Sequence, residues 1–122
     1  MFHLAPAGTS KCDHGKSVKQ SECGDAVRTL AKIAGKVPAR NLLVGRGGRC
    51  RDGGWGSVPL GCSAQSGNDW TAHFKSTGSN CPATAYQLVC SGPGRRCSLY
   101  SFLQIYSILL RRRRYIKSVR LI

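Results

Sequence analysis

Apolar residues recur at Cys23, Val27, Leu30 and Ala34, the three-and-four spacing of one helical face, with Ile33 beside them. Ser21 stands where an N-cap belongs, and Glu22 and Asp25 fall in the first turn, where negative charge meets the positive end of the helix dipole. Gly35 then supplies a stop and Pro38 prevents resumption. Arg28, Lys32 and Lys36 repeat every four residues on the other side, which reads as a solvated basic ridge.

Beyond the helix the period changes from 3.6 to 2. Residues 57–65 read as a strand interrupted near Pro59, and Gly67-Asn68 as a turn. Trp70, Ala72 and Phe74 alternate with Thr71, His73 and Lys75, which predicts one buried and one wet face. A turn at 78–82 leads to a strand over 86–90, with Tyr86, Leu88 and Cys90 inward. Residues 41–44 are a short apolar run. The stretch 45–56 holds six glycines with Arg46, Arg49 and Arg51, and reads as a mobile basic loop anchored by Cys50. The sum is a small α+β domain, one N-terminal helix packed on an antiparallel sheet of about three strands.

Composition divides the chain. Residues 1–94 carry 11 basic and all five acidic side chains, whereas 95–122 carry eight basic and none acidic, so the net charge of +14 splits into +6 and +8. Every glycine lies at or before Gly94. The expected organisation is a cysteine-rich α+β domain over 1–94 and a basic, apolar tail over 95–122. The composition of that tail is also that of translated non-coding sequence joined to a domain ending near Gly92. Its apolar run at 98–110 is shorter than the roughly 20 residues of a bilayer span. Followed by four consecutive arginines, residues 99–114 suit peripheral contact with an anionic membrane.

A domain of this size buries only about two-thirds of its unfolded surface, so crosslinks are expected to supplement its core. Seven cysteines are dispersed along the chain with no C-x-x-C pair, which argues against a structural zinc knuckle and a thioredoxin-type redox site. We expect Cys12, Cys23, Cys50, Cys62, Cys81 and Cys90 to form three disulfides, with Cys97 left over. Fifteen pairings are open. Such a framework belongs to an oxidising, extracellular setting. Residues 1–11 do not read as a signal peptide, so the leader is expected to be absent from this chain.

The helix SECGDAVRTLAKIAG and the strand pair GCSAQSGNDWTAHFKS and CPATAYQLVCSG, set among spaced cysteines, resemble the small secreted cysteine-rich proteins of filamentous fungi, effector-like or killer-toxin-like. The resemblance covers about residues 12–92. It implies an exported, disulfide-bonded, non-enzymatic protein that binds hosts, competitors or glycans, and it assigns no site residue.

The chemistry legible in the residues agrees with binding. The glycine loop lacks both phosphate-loop patterns, no nucleophile elbow occurs, and the five carboxylates form no catalytic pair. No cofactor or metal is expected. His14, His73 and Lys75 could act as acid and base on RNA, which makes a small basic ribonuclease one alternative. A cationic membrane-active antimicrobial or toxin-like protein acting through the tail is another. We expect instead a non-enzymatic protein recognising an anionic or glycan-bearing surface, with nucleic acid a weaker fit. Arg46, Arg49, Arg51 and Trp55 would carry that contact, because an indole in a glycine-rich basic loop offers a stacking platform beside cations. The competing role for Trp55 is to fold back over the sheet. Trp70 is expected in the core with Phe74.

Overall fold

The computed structural model describes residues 1–94, of which Met1–Gly92 form one compact unit. The tail, Cys97 and the expected membrane contact at 99–114 lie outside the described residues.

Helix α1 spans Gln20–Ile33. Its start differs from expectation: Lys19 is the N-cap, no side chain caps the first turn, and Ser21 is an exposed residue inside the helix. Its end is as expected. Gly35, at φ +73°, lets its own N–H reach the Lys32 carbonyl (3.0 Å) and the Lys36 N–H reach the Ala31 carbonyl (2.8 Å). Those are the two reversed bonds of a Schellman cap, which only a left-handed residue closes at low cost. The buried residues are Cys23, Ala26, Val27 and Ala31, with Leu30 packed at the edge, while Ile33 is 79% exposed and Ala34 is exposed. The helix therefore rests on a seam of small residues, and these allow its backbone to approach the sheet.

The sheet corrects the expected architecture. It has five strands in the order β1-β5-β3-β4-β2, from β1 Phe2–Leu4, β2 Leu43–Gly45, β3 Gly61–Ala64, β4 Ala72–Lys75 and β5 Gln87–Ser91. The central trio β5-β3-β4 is antiparallel, as alternation predicts, and β1 joins β5 in the same sense. β2 pairs parallel with β4, so the sheet is mixed. The two additional strands have three residues each, too short to show alternation. The expected strand at 57–65 shrinks to β3, because Gly54–Ser57 form a 3-10 turn and Pro59, with no N–H to donate, precedes the pairing.

One face of the sheet carries Val89, Cys62, Ala64 and Ala72, with Phe2, Leu4 and Phe74 at the margin, and receives the helix. Trp70 is half-buried against this cluster at φ +62°, with its N–H bonded to the Gln65 carbonyl at 3.0 Å. The opposite face was expected in water, and this is the second correction: Thr71, His73 and Lys75 are 0%, 6% and 1% exposed. Chain segments on either side of the sheet in sequence fold over that face, led by Trp55 and Val58, and no local pattern in β4 announces them.

Three disulfides join the six expected cysteines: Cys12–Cys90, Cys23–Cys62 and Cys50–Cys81. Cys23–Cys62 bolts the helix to the middle of the sheet. Cys12–Cys90 ties the N-terminal segment to β5, and Cys50–Cys81 holds the glycine-rich loop. Three bridges in about 90 residues are typical of extracellular proteins, and among the described residues no helix is long and apolar enough to cross a membrane.

Candidate functional site

The face away from the helix gathers the chemistry. Cross-strand register places Ser63 opposite both Leu88 and His73, and Leu43 beside His73. Directly paired residues share a face, so these side chains form one row across the sheet. The chain then lays Trp55 on this row. Its indole lies against Gly45, where a Cβ would overlap the ring, and meets the His73 imidazole edge-on with centroids 5.5 Å apart. Tyr86 approaches the same imidazole from another side at 5.0 Å and nearly perpendicular. Leu43, Gly54, Ser57 and Val58 complete the lining of a pocket of about 210 Å³.

His73 Nδ1 lies 3.0 Å from the Thr71 carbonyl. A carbonyl only accepts, so Nδ1 carries the proton and Nε2 is the basic atom of the ring. Burial pushes the His73 pKa down, against the smaller upward effect of the Thr71 bond, so this is a neutral imidazole near pH 7. Tyr86 moves up through burial. Ser63 Oγ, Gln65 Oε1 and Thr71 Oγ1 are buried with no hydrogen-bond partner among the described residues, and all three belong to the strands and turn flanking His73. None of the three lines the pocket, and Ser63 and Thr71 are fully buried, so these are unpaired polar groups of the sheet interior.

Lys75 occupies the same face two residues on. Its ammonium donates to the carbonyls of Val58 (3.0 Å) and Ser79, with no carboxylate in ion-pair range among the described residues. Desolvation lowers its pKa. It fastens the 58–60 crossing and the 76–79 turn to the sheet, so it belongs to the scaffold.

The loop above the pocket is better tied than its glycine content suggests. Gly47 N–H donates to the Thr77 carbonyl at 2.8 Å, Ser76 N–H to the Gly45 carbonyl at 3.0 Å, and Ser79 Oγ to the Gly48 carbonyl at 2.9 Å. Its side chains separate. Arg46, Arg49 and Arg51 are exposed, and among the described residues none pairs with a carboxylate. Trp55 is half-buried and folds back as a pocket wall. The four expected site residues therefore share one loop, but the indole faces the sheet while the guanidiniums face solvent.

The imidazoles proposed for ribonuclease chemistry are not together. His14 stacks on His3 of β1, while His73 lies in β4, three strand intervals away. At about 4.8 Å per interval plus the offset in register, the separation is roughly 15 Å. Sequence reading missed Tyr86 as a site residue, although its inward reading was the available signal. His3 carried none, because its partners lie 10 and 89 residues away.

A wider cleft of about 470 Å³ opens between α1 and the 37–42 segment, lined by Arg28, Val37, Arg40 and Leu42 among others. Both guanidiniums there have acidic neighbours, Asp25 at 3.7 Å and Asp69 at 3.4 Å. Compared with known proteins, the chain matches no family model, no curated protein and no solved structure.

Proposed function

We propose that this chain is an exported, effector-like binding protein that recognises an anionic, glycan-bearing surface without turnover. The observation that carries this is the placement of the Trp55–His73–Tyr86 pocket directly behind a loop with three uncompensated arginines. Indole and phenol walls suit the apolar face of a sugar ring, and the neutral His73 can exchange hydrogen bonds with its hydroxyls. Guanidiniums outside the pocket match the planar geometry of carboxylate, sulfate or phosphate groups. A volume of about 210 Å³ is below that of a whole-ligand cavity, which suits capture of one ring on a larger surface. The likeness to the exported cysteine-rich proteins of filamentous fungi points the same way, and the three disulfides suit life outside the cell.

The test is binding to an immobilised sulfated polysaccharide across a salt series, for the wild type and for Arg46→Ser/Arg49→Ser/Arg51→Ser. Each basic residue near an anionic surface contributes about 1 kcal/mol, so the triple variant should bind about a hundredfold more weakly and depend less on salt. Equal affinity and equal salt dependence would remove the loop from the site. Trp55→Ala should weaken binding to the polysaccharide while leaving retention on a plain sulfonate matrix unchanged; loss on both matrices would mean that the indole supports the fold and not the sugar.

A further inference from the structure

On the helix side of the sheet, the cleft between α1 and the 37–42 segment differs in kind from the Trp55 pocket. Ala72 lines the cleft while its neighbour His73 lines the pocket, so the two open on opposite faces of β4. A volume of about 470 Å³ is enough to hold a whole small ligand. Its floor and wall are apolar: Ala72 is buried, Leu42 packs against the core, and Val37 is an aliphatic side chain left 87% exposed at the wall. Gly24 completes the floor from inside α1, where glycine is a poor helix former. It has no positive φ that would require a glycine. A Cβ there would meet Leu42 Cβ at 3.7 Å and Arg28 Nη2 at 3.8 Å, ordinary contact distances, so close packing does not demand its absence either. What the missing methyl leaves is space in the cleft, bordered by an aliphatic side chain and a guanidinium.

Two cations share this lining, Arg28 from the helix and Arg40 from the segment that faces it. Their acidic neighbours hold them loosely. Asp25 and Asp69 lie at 3.7 and 3.4 Å, beyond the reach of about 2.9 Å typical of a charge-assisted hydrogen bond, and no described residue brings an acceptor closer to either guanidinium. Both arginines are more than half exposed, where such pairs contribute little. Most of their N–H donors are therefore open to a planar anion, and the guanidinium fork matches a carboxylate in shape and charge. A hydrocarbon chain attached to that carboxylate would cover Val37 and fill the space beside Gly24.

We propose that this cleft binds a small amphiphilic carboxylate, with the anionic end taken by Arg28 and Arg40 and the hydrocarbon end laid on Gly24, Val37, Leu42 and Ala72. The test is titration of the fully oxidised, full-length protein with sodium octanoate near neutral pH, followed in ¹H–¹⁵N spectra. Octanoate should shift the amides of Gly24, Arg28, Arg40 and Leu42 saturably and leave the Trp55 indole unmoved. Acetate, which lacks the chain, and 1-octanol, which lacks the charge, should each bind far more weakly. Arg28→Gln and Arg40→Gln, both at exposed positions, should each lower octanoate affinity by about tenfold while near-ultraviolet circular dichroism stays native. Gly24→Ala should raise the melting temperature, because alanine is the better helix former, and yet weaken octanoate binding. A purely structural glycine would not separate those two effects. Shifts confined to other residues, or equal binding of octanoate and 1-octanol, would overturn the assignment. Undiminished affinity in both arginine variants would overturn it equally, by placing the carboxylate elsewhere.

Discussion

Removing the disulfides one at a time separates two sources of their stabilisation. The bridges close 31, 39 and 78 residues for Cys50–Cys81, Cys23–Cys62 and Cys12–Cys90. Loop-closure entropy alone assigns them about 3.7, 3.9 and 4.5 kcal/mol at 25 °C, with Cys12–Cys90 the strongest. Burial narrows the difference and reorders them. Cys23 and Cys62 are both fully buried between α1 and β3, whereas each of the other bridges joins one buried cysteine, Cys90 or Cys81, to a more open one, the half-buried Cys12 or the exposed Cys50. Replacing Cys23 and Cys62 with alanine also leaves the space of two sulfur atoms in a tight core, which adds about 1–2 kcal/mol. The double variant should therefore lose about 5–6 kcal/mol, against about 4 kcal/mol for the Cys50/Cys81 pair. Domains of this size are stable by about 5–15 kcal/mol in total, and each kcal/mol moves the midpoint by about 4–8 °C. Urea unfolding followed by far-ultraviolet circular dichroism measures the three losses on one scale. If Cys12/Cys90 removal costs more than Cys23/Cys62 removal, loop closure governs and the core argument fails. If Cys50/Cys81 removal costs most, both arguments fail.

Gly45→Ala drives a methyl group into the Trp55 ring, so the indole should leave its seat, with red-shifted tryptophan emission and a loss of about 1–3 kcal/mol; unchanged emission would refute the packing described. Acid should destabilise the protein in two stages. His73 titrates below its ordinary 6.5 when folded, so stability present at neutral pH is lost as pH falls from 6.5 towards the folded value, and His73→Gln should flatten that stage in pH-dependent melts. Asp13 and Asp69 are held below 3.8, so the stability they provide above that value is lost at lower pH, as their folded carboxylates are protonated. Lys75 is lowered from 10.5 by burial, so its cost is greatest while it is charged in both states. Stability should rise as pH climbs from the folded value to 10.5, and Lys75→Met should abolish that rise in alkaline urea titrations.

The local signals were reliable where one element carries its own information. The end of α1 was legible because Gly35 and the residues bonded to it span six positions. The three central strands were legible because alternation needs only neighbouring residues. The helix start was misread at Ser21 because a capping residue type does not itself place the first turn, which Lys19 begins without side-chain help. The wet-face expectation for β4 failed for a different reason. Whether Thr71, His73 and Lys75 meet water depends on where residues 46–60 cross the sheet, and those residues touch β4 only after folding.

By itself the sequence determined an α+β domain with a defined helix stop, a core sheet trio and six cysteines suited to an oxidising environment. Composition and short-range periodicity suffice for such properties. Only the tertiary structure decided which cysteines pair, that the sheet gains β1 and a parallel β2, and that its second face is buried. It also decided that Trp55 lies over Gly45 beside His73, and that His3 meets Asp13 and Gly92 across 10 and 89 residues. Each of these is a contact between chain segments with no shared local pattern, selected by the joint packing of the helix, the sheet and the three crosslinks.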